Sequence, residues 1–353
     1  MAEPGNRKKL SWWKWCLMAL IAIVLLYFAF KGVKWSDFTE GLRSCNFWWV
    51  GAAMASSVAA FWVRGLRWRL LLLPLNPTVS RRDCYDGVTT AYLTNFAFPR
   101  AGELARCGII AGTGKTSFES ALGSVVLERA IDVLCDMIIV MAIVWFSWDS
   151  IGDFMTREIW GSAAEKFHLS VVWILVGLVV AIVVVCCLLY RYRERLSQMR
   201  FFDRFFSLVR NMWAGLSAGF RSEHKWAFLF YTMALWTLYW LQSLFTVYAF
   251  PQVCDSAISI STGEVGLNGV DALFLMVVGS LGWIVPVQGG IGAYHFILSL
   301  ACAAIYAIPP ADGVVFATIS HESQALTMLA CGAVTLISAS ISGRYLKLKN
   351  QNI

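Results

Sequence analysis

The sequence predicts an all-α fold, a polytopic bundle of membrane helices, and three observations carry that prediction. Of its 353 residues, 58% are hydrophobic and only 14% are charged, against about 45–50% and about 25% in soluble domains. The mean hydropathy is +0.63, an excess of apolar surface that a core in water cannot absorb. The apolar residues also fall in long continuous runs. In hydrocarbon a backbone satisfies its N–H and C=O groups only as a helix or a closed barrel, and runs of this length mean helices.

The first run, 12–30, follows Arg7, Lys8 and Lys9. Its roughly 19 residues suffice to span, and no small-residue cleavage site follows, so a retained helix is expected rather than a secretory signal. Further spans are expected at 47–73, 117–147, 168–190, 226–250 and 313–343, about six in all. The stretches 84–112 and 269–308 are apolar but broken by proline and glycine. They read either as re-entrant hairpins or as pairs of full spans, which would make about eight. The whole of 1–353 is expected to be one transmembrane domain.

Lysine and arginine set the expected orientation. Arg7, Lys8, Lys9 and Lys14 place the N-terminus inside, and Arg64, Arg67, Arg69, Arg81 and Arg82 return the end of the second span to that side. The basic stretch 191–225 reads as a cytoplasmic amphipathic connector on anionic lipid, and Arg344, Lys347 and Lys349 place the C-terminus inside. The net charge of +7 therefore follows from topology, and no nucleic-acid partner is implied. The loops 148–166 and 251–268 are poor in basic residues and are expected outside. Parity then gives 84–112 and 269–308 an even number of crossings each. Each half has a broken hairpin followed by a polar-studded helix, the pattern of an inverted repeat with halves 84–147 and 269–343.

Ten cysteines are scattered without a C-x-x-C pair, so they read as small buried hydrophobes. Neither a disulfide framework nor a metal cluster is expected, and no cofactor or metal ligand is assigned.

Three constellations carry chemistry. In 117–147, Glu128, Asp132 and Asp136 recur every fourth residue along one helix face, with Arg129 in reach of Asp132. At helical rise Glu128 lies roughly 17 Å into a core about 30 Å thick. Arg129 is expected to be the one basic residue at a span's centre. A charge there costs about 2.5–3.5 kcal/mol on insertion scales and must be paired or wet. The group is either an ion pair that locks helices or a site facing a substrate. The second constellation is Asn95-Phe-Ala-Phe-Pro99-Arg100-Ala-Gly102-Glu103-Leu-Ala-Arg106. Here Pro99 and Gly102 break a helix, and Arg100 and Arg106 suit a phosphate beside a helix start, unless they rest at the headgroups. The third runs from Pro286 through Gly289, Gly290 and Gly292 to His295, where successive glycines either expose backbone donors to an anion or serve close packing. His321-Glu322 is expected as a polar partner of this break.

Three look-alikes carry no such chemistry. Gly112-Thr-Gly114-Lys115-Thr116 lacks the first glycine of a nucleotide loop, with Ile109 in its place, and reads as a polar turn. His321-Glu322-Ser-Gln-Ala325 lacks the second histidine of a zinc-protease helix. Arg191 to Arg210 alternates with phenylalanines as an interfacial segment does.

Taken together, Arg64-x-x-Arg67-Trp68, Asn95-x-x-x-Pro99-x-x-Gly102-Glu103-x-x-Arg106, Leu127-Glu128-Arg129-x-x-Asp132 and Pro286-x-x-Gly289-Gly290-Ile-Gly292 resemble the lysylphosphatidylglycerol synthase transmembrane family of flippase-like proteins. The resemblance implies a protein of a bacterial or archaeal inner membrane that moves or presents lipids between leaflets. It further implies that Asn95, Arg100, Glu103, Arg106, Glu128, Arg129 and Asp132 line the site. Members that synthesise aminoacyl lipids carry a soluble acyltransferase domain after the spans, which is not expected here, so translocation is the expected activity. The full expected substrate-binding set adds Arg64, Arg67, Gly289, Gly290, Gly292, His295 and Glu322. The expected partners are membrane lipids, an anionic phospholipid or a polyprenyl-phosphate lipid, and a separate lipid-modifying enzyme. The rival readings are a membrane-embedded lipid headgroup or glycosyl transferase, and a non-catalytic partner of a separate lipid synthase.

Overall fold

The computed structural model describes residues 12–147 and 224–341. Among them every regular element is a helix, apart from one isolated bridge between Ile258 and Val265. The span expected at 168–190 and nearly all of the connector 191–225 lie outside the described residues.

Helix α1 (Trp12–Phe30) is followed by α2 (Trp35–Ser44), a short helix in a segment to which the sequence reading assigned no element. The two meet at 83°, across a turn in which Gly32 takes a left-handed φ of 83°. Helix α2 is amphipathic. Its Phe38 is buried against the core while Trp35 is exposed.

Helix α3 (Phe47–Leu72) starts at Asn46, whose side chain accepts from the Trp48 amide, and α4 (Arg81–Ala97) starts in a reciprocal Ser80–Asp83 capping box. Helix α5 (Gly102–Gly112) follows the first break. The turn after it ties Lys115 Nζ to Asp83 at 2.7 Å, in keeping with a polar turn rather than a nucleotide loop. Ser117 caps α6 (Phe118–Phe146). Helices α7 (Lys225–Tyr248) and α8 (Pro251–Cys254) come next. Asn268 and Asp271 form a second capping box at the start of α9 (Gly269–Ile284). The second break holds a single 3-10 turn, Gln288–Gly290, before α10 (Ala293–Tyr306) and α11 (Pro310–Ile341). Both broken hairpins thus interrupt at their prolines, Pro99 and Pro286.

The distribution of side chains is that of a bundle in lipid. On α6, Val133, Leu134, Met137, Ile138 and Met141 are exposed while Glu128 is wholly buried. Apolar surface faces outward because lipid tails solvate it, and charge turns inward where partners are. Among the described residues, Gln288–Tyr306 and Pro310–Ile341 are long and apolar enough to cross a membrane, and α1 with α2 makes a third if counted as one bent span. The larger expected number rests on admitting α3, α6 and α7, whose arginines, carboxylates and aromatic rings make them less uniformly apolar.

Candidate functional site

The site grows from one carboxylate. Glu128 stands on the inward face of α6, and its Oε1 accepts from Arg64 Nε at 3.0 Å and from Arg67 Nη2 at 3.2 Å. Its Oε2 lies 3.0 Å from Arg106 Nη1. One turn along, Asp132 Oδ1 accepts from Arg67 Nη2 at 2.6 Å, and Oδ2 lies 3.5 Å from Arg64 Nη2. Helices α3, α5 and α6 thereby converge on a single ion cluster. Trp68 completes it: its ring lies 4.8 Å below the Arg106 guanidinium and its indole N–H donates to Ser124.

This arrangement corrects the expectation that Arg129 is the one basic residue at a span's centre. Arg64, Arg67 and Arg106 are the buried cations, with side chains 8%, 0% and 3% exposed, whereas Arg129 is 42% exposed and only grazes Glu128 and Asp132 at 3.5 and 3.6 Å. It also removes Arg64 and Arg67 from the loop charges used for orientation. Both sit within α3, where the balancing carboxylates lie far away in sequence on α6.

The first break is shaped by Gly102 and Asn95. The Gly102 amide donates to Asn95 Oδ1 at 2.7 Å, so a side chain from α4 satisfies a free donor at the start of α5. A Cβ on Gly102 would lie 2.3 Å from the Ala91 carbonyl oxygen, which is why glycine is required for this approach. Arg100 takes a left-handed φ of 62° and donates across to the Ile284 carbonyl at the end of α9. The two breaks therefore touch.

In the second break Gly289, Gly290 and Gly292 have φ of 58°, 73° and 82°. Gly290 N donates to Val287 O at 3.3 Å, so that amide is committed within the turn. Gly289 abuts the Phe96 ring, and a Cβ on Gly292 would meet the Ala22 carbonyl of α1 at 2.4 Å. Close packing explains these glycines at least as fully as anion binding does. His321 Nε2 donates to Gly289 O at 2.8 Å, the polar partnership expected for this break.

Between the breaks lies a cavity of about 720 Å³. Its wall includes Arg64, Asn95, Arg100, Glu103, Arg106, Arg129, Asp132, Asp136, Gly289 and Gly290. Arg67 and Glu128 stand behind this wall, and Gly292, His295 and Glu322 lie outside it. Guanidinium donors outnumber the acceptors that meet them: Arg106 Nε and Nη2 and Arg129 Nε make no hydrogen bond to any described residue. The sequence reading missed Tyr92 and Tyr239, whose hydroxyls accept from Arg64 Nη1 at 2.8 and 3.3 Å. The available signal was a tyrosine within an apolar helix, whose hydroxyl needs a partner when buried.

The family model described as the lysylphosphatidylglycerol synthase TM region matches residues 15–332. The chain is also similar to a curated protein named glycosyltransferase AglD, from Haloferax volcanii, with 23% identity over 315 residues, covering 83% of this chain and 49% of that relative. It thus spans about half the relative's length. No solved structure matches the chain significantly.

Proposed function

The chain belongs to the lysylphosphatidylglycerol synthase TM region family and is a multi-pass membrane protein; from that premise we propose that it acts in lipid or glycolipid metabolism, as a flippase-like transporter which moves or presents a lipid with an anionic headgroup between leaflets. One observation carries the reading: the cavity of about 720 Å³ joins both helix breaks and has half-free guanidinium groups in its wall. A volume in the range of about 300–1,000 Å³ suits a small polar group, and a guanidinium fork recognises phosphate.

Within this reading the arginines divide the work. Arg64 and Arg67 are committed to Glu128 and Asp132, and Arg106 to Glu128 through Nη1 alone; together they hold α3, α5 and α6. Arg129 and Arg100, with the uncommitted nitrogens of Arg106, are the guanidinium groups left to meet a lipid phosphate. The break-to-break contact of Arg100 with Ile284 is the element that would open as the headgroup passes. The proposed setting is the inner membrane of a prokaryote, with both termini cytoplasmic, and the inverted repeat belongs to the same proposal.

The name of the similar Haloferax volcanii protein, a glycosyltransferase, favours a second reading, in which the chain transfers or presents the sugar headgroup of a lipid, for which a polyprenyl-linked carrier is the candidate. Proteoliposomes containing headgroup-labelled lipids separate the two. A flippase equilibrates label between leaflets and leaves the lipid mass unchanged. A transferase alters the lipid mass, and finding that outcome without any change of sidedness would overturn the transport reading.

A further inference from the structure

Beside the second break, outside the cavity wall, three side chains converge that the lipid reading does not use. His295 stands in the first turn of α10, and His321 and Glu322 are adjacent on α11. His321 Nδ1 lies 2.9 Å from Glu322 Oε1, and His295 Nε2 lies 3.8 Å from the same oxygen. The His295 and His321 side chains are 4% and 0% exposed, while Glu322 is 49% exposed.

The hydrogen bonding leaves a specific chemical gap. The Gly289 carbonyl only accepts, so the 2.8 Å contact assigns a proton to His321 Nε2. In the neutral ring, Nδ1 then carries a bare lone pair, aimed at a carboxylate oxygen that also only accepts. Something positive must lie between them. A single proton would serve His321 and Glu322 but leave His295 unserved, because its Nε2 points at Glu322 Oε1 from 3.8 Å, beyond hydrogen-bond range. A divalent metal ion serves all three.

We propose that His295, His321 and Glu322 form a binding site for a first-row divalent metal ion of the zinc class. Their donor atoms all lie within 4.8 Å of one another. Metal–ligand bonds of about 2.0–2.1 Å in a tetrahedron place donors about 3.3–3.4 Å apart; the two separations to Glu322 Oε1, 2.9 and 3.8 Å, lie on either side of that value, and the two histidine nitrogens, up to 4.8 Å apart, would draw together by a rotation of the His295 ring on binding. Two imidazoles and one carboxylate select zinc or cobalt over magnesium or calcium. The bond from His321 to the Gly289 carbonyl is the outer contact that fixes ring orientation and tautomer in metal sites. Glu322, half-exposed, gives the ion its way in. The bound ion would staple α10 to α11 and, through His321, hold the second break in place, whatever the cavity carries.

The test uses the untagged full chain in detergent, stripped with a chelator and titrated with Zn2+ or Co2+ alone. The wild type is expected to bind about one equivalent, with the intense visible absorption of low-coordinate cobalt. Glu322→Gln and His295→Ala are each expected to weaken binding by at least about tenfold, while the exposed control Glu264→Gln leaves it unchanged. Since Glu322 is half-exposed, Glu322→Gln is expected to elute as the wild type does, and it decides the matter if His295→Ala does not fold. No uptake by folded wild type, or equal uptake by Glu322→Gln, would overturn the proposal in favour of a protonated His321–Glu322 pair.

Discussion

Arg106 Nη1 and Glu128 Oε2 face each other at 3.0 Å with side chains 3% and 0% exposed, at the point where the helix after the first break meets the charged face of α6. The contact joins two of the three polar motifs of the sequence. It makes the buried charge on α6 a structural requirement of the broken hairpin as well as a feature of the cavity.

Replacing Glu128 by glutamine is therefore expected to cost about 3–5 kcal/mol, because it leaves Arg64, Arg67 and Arg106 buried without their shared counter-charge. Thermal unfolding in detergent, followed by size-exclusion elution, reads the loss. An unchanged melting temperature would contradict this role.

Arg129→Ala should behave differently. Its side chain is 42% exposed and its ion pairs are 3.5 Å or longer, so the variant is expected to fold normally. Losing one charged hydrogen bond to a ligand, worth about 1.5–3 kcal/mol, is expected to slow lipid movement by about tenfold or more. Flipping of headgroup-labelled lipid by the variant at the wild-type rate would remove Arg129 from the path.

Glycines offer a contrast within one molecule. Gly102→Ala sets a Cβ against the Ala91 carbonyl, and Gly292→Ala sets one against the Ala22 carbonyl, at a left-handed φ in addition. Each is expected to destabilise by about 1–3 kcal/mol. Gly123, exposed within α6, has nothing within 4 Å of an added Cβ. Gly123→Ala is expected to stabilise by about 0.5–1 kcal/mol through the chain entropy it removes. Melting temperatures of the three variants check the ordering.

Asn95→Ala removes the side-chain acceptor of the Gly102 amide and should cost about 1 kcal/mol of helix capping. Faster hydrogen exchange confined to the start of α5 is the expected signature. Protection unchanged there would mean that another acceptor takes over.

The sequence makes the long helices legible because apolar runs of span length admit few alternatives, and it marks both breaks because proline and glycine act locally. Helix α2 was missed because its ten residues carry charge on one face and bury only Phe38 deeply. The true partners of Glu128 were missed for a different reason. Arg64 and Arg67 look like the basic end of a span when charges are counted along the chain, and only the packing of α3 on α6 reveals that they are counter-ions. The pairing of His295 with Glu322 was equally out of reach, since adjacency on α11 is visible in the sequence but the approach of α10 is not.

The charged cavity between the two breaks is proposed to receive an anionic headgroup. An experimental density map of the full chain in nanodiscs containing anionic lipid tests it most directly. Headgroup density is expected inside the cavity, with a phosphate within hydrogen-bond reach of Arg129 or Arg100. A cavity occupied by acyl chains alone, with both arginines turned away to other partners, would contradict it.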